Sequence, residues 1–164
     1  AYNINREILP LNLVGGGCEL HLVEQWVKEN GLQDKIRICG PIYDIEEKSK
    51  YFARAYVTLS PVQAGLSVLE SMGYGVPFVT TKTAITGGEI FNIVNGENGV
   101  LLDSYTDLHK VILDVSTSPT KYIELGINSK KHYDLYRKPS DMAKGLSDAI
   151  EYAYCKINKN TIYE

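Results

Sequence analysis

Ser60 to Thr80 reads S-P-V-Q-A-G-L-S-V-L-E-S-M-G-Y-G-V-P-F-V-T. The order is that of a strand end, a glycine turn, a short apolar helix with one acid, a Gly75-Val76-Pro77 corner and a new strand. A helix that opens at a glycine turn just past a strand leaves its first backbone N–H groups free for an anion. Here those are the amides near Leu66 and Ser67. Glu70 is the one charge between Arg54 and Lys82. Burying a lone carboxylate is costly, so Glu70 needs a partner. A ligand hydroxyl would serve, and so would a cap or an ion pair within the fold.

Outward from this stretch, short apolar runs alternate with helical ones, the pattern of an α/β fold with a parallel sheet. The expected strands are Leu11 to Val14, Ile36 to Cys39, Tyr56 to Leu59, Phe78 to Thr80 and Gly99 to Leu102. Leu20, Val23 and Val27 mark a helix stopped by Asn30-Gly31. Asp44 to Arg54 marks a second, with its acids first and its bases last, as the helix dipole favours. A third runs from Leu66 to Gly73. Gly87-Gly88-Glu89 opens a short helix ending near Asn95-Gly96, where Glu89 satisfies local N–H groups. From Thr106 the chain is helical, divided at Pro119 and Pro139. The last helix aligns Met142, Leu146, Ile150, Ala153 and Ile157, so it is expected to pack along a neighbour. Residues 1–157 form one domain and 158–164 a polar, fraying tail.

Composition narrows the class. The chain has 164 residues, 44% hydrophobic and 23% charged, with a net charge of −3, as in an ordinary globular domain with a sizeable core. Nothing points to a nucleic-acid partner. The apolar runs are too short to span a membrane. Cys18, Cys39 and Cys155 are far apart, with no Cys/His cluster, so no metal or disulfide framework is expected and a reducing cytoplasm fits. His21, His109 and His132 lie in polar helical contexts and receive no role. No Ser/His/Asp grouping is visible.

Two further loops end strands on the side where open α/β sheets bind ligands. Gly15-Gly16-Gly17 permits a phosphate to approach the backbone, with Gly16 and Gly17 as the contact points, or is simply a tight turn. Gly40-Pro41-Ile42-Tyr43 could face a nucleobase, or Tyr43 could cover the core. Together with Ala64 to Ser67 and Glu70, these loops suit a diphosphate with neighbouring hydroxyls, as in a nucleotide sugar. An NAD-binding Rossmann domain fits less well. Leu20 stands where the third glycine of its fingerprint belongs, and no acid ends the second strand.

These segments resemble, in order and spacing, the C-terminal donor-binding half of GT-B glycosyltransferases of the large retaining family 4. The matching pieces are L-N-L-V-G-G-G, G-L-Q-D-K-I-R-I-C-G-P-I, A-Y-V-T-L-S-P, G-L-S-V-L-E-S-M-G-Y-G-V-P-F-V-T and G-G-E-I-F-N-I-V-N-G-E-N-G-V-L-L, between Leu11 and Leu102. The resemblance implies a Rossmann-like three-layer α/β/α domain with a parallel sheet, one half of a GT-B fold. It implies transfer of a sugar from a UDP- or GDP-linked donor to an acceptor hydroxyl with retention, and no cofactor or metal. Glu70 would be the second acid of the family's E-x(7)-E motif and bind ribose. Gly16, Gly17, Gln63, Ala64, Gly65, Leu66 and Ser67 would contact the diphosphate and sugar. Gly40, Pro41, Ile42 and Tyr43 would face the base. No catalytic residue is assigned.

The chain departs from the pattern twice. Val62 occupies the position of the first acid, with Gln63 beside it as a substitute amide, which opens the alternative of a non-catalytic nucleotide-binding module. The family's opening strand with Gly-Arg, its following Lys and the whole acceptor domain have no counterpart here. The chain is therefore expected to be an N-terminally incomplete fragment, inactive alone. The edge left by that strand would be covered by the first residues or by a second copy. Family habit points to polysaccharide or glycoconjugate synthesis in the cytoplasm or at the inner face of the membrane. Peripheral membrane association through the acceptor domain, and oligomer formation, stay open.

Overall fold

The structure is a computed structural model that describes residues 8–160, with side chains to residue 157. The expected polar tail lies largely outside the described residues; its first part continues the last helix. Strand β1 (Leu11–Val14) leads through α1 (Leu20–Glu29) to β2 (Ile36–Gly40). Helix α2 (Ile45–Phe52) crosses to β3 (Thr58–Leu59), and α3 (Ser67–Gly73) connects to β4 (Phe78–Thr81). A 3-10 turn, Glu89–Asn92, precedes β5 (Gly99–Leu102). A second, Tyr105–Asp107, leads into α4 (Leu108–Thr117), α5 (Pro119–Tyr136) and α6 (Pro139–Asn160).

All strand pairs are parallel, but the strands form two ladders, β1-β2 and β3-β4-β5, where one sheet was expected. Among the described residues no strand pairs with the outer edge of β1 or of β3. Helix α4 spans the division. Ile112 and Leu113 pack with Val27, Leu32 and Ile36 on the first ladder. Val111 and Val115 pack with Val79, Tyr122 and Leu125 on the second. The chain just before β1 follows the same seam, with Ile8 buried in the first cluster and Leu9 against the second. The Leu9 amide donates to Ser116 Oγ at 3.1 Å.

The alternation of side chains along each strand builds three layers. Leu11, Leu13, Ile36 and Ile38 face α1 and α4. On the other face of β2, Cys39 lies by Tyr51 of α2 and, as its nearest polar neighbour, raises the pKa of that hydroxyl. In β4, Phe78 faces Val68 and Met72 of α3, whereas Val79 faces α4 and α5. Helices α2 and α3 thus form one outer layer, and α1, α4 and α5 the other.

Several boundaries differ from the sequence expectation. β3 pairs at only two positions, Thr58 with Phe78 and Leu59 with Val79. Pro77, the next residue back, has no N–H with which to extend the ladder toward Tyr56. Asp44 is the N-cap of α2, accepting from the Glu47 amide at 2.8 Å, and the helix ends at Phe52. The segment after Gly88 makes one 3-10 turn instead of a helix to Asn95. The apolar stripe of α6 stays largely open to solvent. Met142, Leu146, Ile150 and Ile157 are all exposed.

Candidate functional site at the strand tips

The carboxyl ends of β1 and β2 bring two of the predicted loops together. The Gly15 amide donates to the Gly40 carbonyl at 2.9 Å. Gly15 and Gly40 both have positive φ, +143° and +68°, a region that side-chain-bearing residues rarely adopt. A Cβ on Gly16 would stand 3.6 Å from Pro41 Cδ, so the glycine loop lies directly against the Gly40–Tyr43 loop. Gly16, Gly17 and Pro41 are exposed, and Ile42 is half-buried. Tyr43 is 85% exposed, which overturns the reading that it covers the core.

On the second ladder, residues 62–64 bridge to Ile85. Ile85 N–H donates to the Val62 carbonyl, and Ala64 N–H to that of Ile85, both at 2.8 Å. Ala64 is fully buried in the core with Val68 and Met72. That anchor fixes the turn that follows. Gln63 pairs with Ile85 in this bridge, so its side chain leaves the face opposite to that of Val62 and Ala64. Val62 itself is exposed. The amides of Gly65, Leu66 and Ser67 make no hydrogen bond among the described residues. Three donors therefore remain open at the mouth of α3.

Glu70 lies one turn further along α3. Its partner within the fold is Lys48 of α2, with Nζ 2.7 Å from Oε1. A nearby cation thus exists, although none is close in sequence. The carboxylate is not sealed by this pair. Its side chain is 39% exposed, against 25% for Lys48, and Oε2 has no hydrogen-bond partner among the described residues. The hydrogen bond to Glu70 raises the pKa of Lys48. Phe52 and Tyr74 stack at 4.4 Å and 7° one turn further along each helix.

Sequence reasoning missed Lys48, and it missed an open groove of about 390 Å³ beside Glu70. Tyr74, Tyr133, Arg137 and Met142 line that groove from α3, α5 and the start of α6. The signal for Lys48 was present only as a base in the second turn of α2. Glu89 behaves as expected, accepting from Gly87 N–H and Thr86 Oγ1 at 2.9 and 3.2 Å. Among the described residues no cluster of His, Cys, Asp and Glu could hold a metal ion. No helix there is long and apolar enough to cross a membrane.

Parallel α/β layers, a glycine turn at the first strand tip and open amides at the third define a Rossmann-like domain, the fold class of a GT-B half. The similarity to solved structures agrees. Sucrose-phosphate synthase from Thermosynechococcus elongatus superposes with a TM-score of 0.73 at 23% identity, over 90% of this chain and 39% of that one. Anabaena HepE in complex with UDP gives 0.72 at 19% identity, over 88% and 41%. The C-terminal domain of LpcC, a glycosyl transferase group 1 family protein from Francisella tularensis, gives 0.61 at 22%, over 73% and 63%. The chain spans about two fifths of the length of the first two. The family model for glycosyl transferases group 1 matches residues 3–117, and the chain belongs to that family. No curated protein matches it.

Proposed function

We propose that this chain is the nucleotide-sugar-binding part of a retaining glycosyltransferase that acts in polysaccharide or glycoconjugate synthesis. The donor is UDP- or GDP-linked. The observation that carries this reading is the pairing of open amides at Gly65, Leu66 and Ser67 with a solvent-reachable carboxylate one turn later. Amides suit a diphosphate. A carboxylate with one oxygen open suits ribose hydroxyls. In this reading the Gly16-Gly17 and Gly40–Tyr43 loops serve the phosphate and the base. Gln63 and Ala64 complete the turn, Ala64 through its backbone. HepE, similar in fold, has been solved with UDP and with UDP-glucose, which supports a nucleotide sugar as the ligand.

In this reading the fixed amides stabilise charge that develops on the departing diphosphate, with no reorganisation at the moment of reaction. No metal or other cofactor takes part. The acceptor and the bases that complete diphosphate neutralisation belong to an acceptor domain and a strand–helix unit outside this chain, so the chain alone does not turn over. The intact protein works in the cytoplasm, at the inner face of the membrane where its acceptor is membrane-borne.

Titration of the chain with UDP, GDP and NAD tests the assignment. A nucleoside diphosphate should bind in preference to NAD. Glu70→Gln should weaken that binding by about 1–3 kcal/mol through loss of charged hydrogen bonds. Unchanged affinity with lowered fold stability would instead make Glu70 a structural tie. Exposed, apolar Val62 favours a second reading, a module that binds nucleotide without transferring sugar. Nucleotide binding with no sugar transfer by the intact protein from any donor would select it.

A further inference from the structure

The ion pair between Lys48 and Glu70 asks for an explanation beyond stability. Both partners keep solvent contact, and such pairs contribute only about 0–1 kcal/mol. Its geometry is nevertheless tightly held. Asp44 caps the start of α2. The Phe52–Tyr74 stack sets α2 against α3 four residues beyond the pair on both helices. Lys48 approaches from the α2 side and engages Oε1 alone.

We infer that Lys48 is a positioning residue: by holding Oε1 of Glu70 it aims Oε2 at the ribose hydroxyls of the bound nucleotide. This rests on the assignment of Glu70 made above and goes beyond it, because it explains how an otherwise mobile carboxylate is fixed before the ligand arrives. A free glutamate would lose side-chain entropy on binding. One already anchored by a lysine has lost it on folding. Lysine is already charged through the neutral range, and the hydrogen bond to Glu70 raises its pKa further. The opposite arrangement predicts the opposite sign. If the pair merely sequesters Glu70, the ligand has to break it, and removing Lys48 improves binding.

The test uses the full chain and calorimetric titration with UDP, GDP and their 2′,3′-dideoxy counterparts. The preferred ribonucleotide should bind about tenfold more tightly than its dideoxy form, the worth of one charged hydrogen bond. Lys48→Met should cut that ratio about fivefold while leaving dideoxynucleotide affinity unchanged, and Lys48→Arg should retain most of it. Where Met at 48 disturbs the helix pair, seen as lost dideoxynucleotide binding, Lys48→Gln provides the same comparison. An unaltered ratio in a folded Lys48 variant, or tighter ribonucleotide binding, would overturn the inference. A wild-type chain that binds neither nucleotide, or binds ribo and dideoxy forms equally, removes the Glu70 assignment first and this inference with it.

Discussion

Glu70 shows how far a single residue can be read. Its isolation in an apolar stretch suggested a buried acid in need of a partner; the fold supplies a partner but leaves the side chain 39% exposed. The identity of the partner was not legible, because Lys48 lies 22 positions away and meets it only after α2 and α3 pack. The charge order of α2 suggested only agreement with the helix dipole. His132 is a similar case. It sits in a polar helical context, yet its Nε2 lies 3.5 Å from Asn92 Oδ1, an oxygen that also accepts from Arg137 Nε. Desolvation, and then the Arg137 charge, lower its pKa from the ordinary 6.5. The unfolded chain therefore binds a proton more readily than the fold does. The sign follows: this site costs stability as pH falls from about 6.5 toward the depressed value in the fold. Thermal melts of the wild type should lose stability over that window, and His132→Gln should lose less.

Elements were legible in kind and less so in extent. Apolar runs, helical spacing and turn residues located, in order, the strands and α-helices of the described residues. Lengths failed where a neighbour decides them. β3 is short because of Pro77, which belongs to another strand's approach. Contacts between distant elements were invisible. Gly126, within α5, is one. A Cβ there would stand 2.3 Å from the Gly75 carbonyl oxygen, so α5 packs on the corner before β4 backbone to backbone. In sequence Gly126 resembles a helix weakness. Gly126→Ala, which raises intrinsic helix propensity, should therefore destabilise the domain by about 1–3 kcal/mol through overpacking. Equilibrium urea unfolding measures it; a gain in stability would contradict the close approach.

For the molecule as a whole, the alternation of strands and helices foretold parallel α/β, and the family resemblance its three layers, but neither foretold the division of the sheet or the fate of α6. Spacing revealed that α6 has an apolar face and could not reveal whether anything covers it. In the structure Leu146 and Ile150 are 65% and 62% exposed. Leu146→Lys with Ile150→Lys should accordingly leave the melting temperature of the chain within about 1 °C of the parent, since surface changes are typically within about 0.5 kcal/mol. A larger fall would mean that this face is covered in solution.

The divided sheet has a consequence for grip. The glycine and Gly40–Tyr43 loops ride on one ladder, whereas the amide turn and Glu70 ride on the other. Between them lie side chains packed on α4, with no strand-to-strand hydrogen bond across the seam among the described residues. The two halves are therefore joined by side chains, on one face through α4 and on the other through the Lys48–Glu70 pair and the Phe52–Tyr74 stack, and not by a continuous ladder. A molecule long enough to touch both would act as a clasp, fastening two plates that the backbone leaves unbolted.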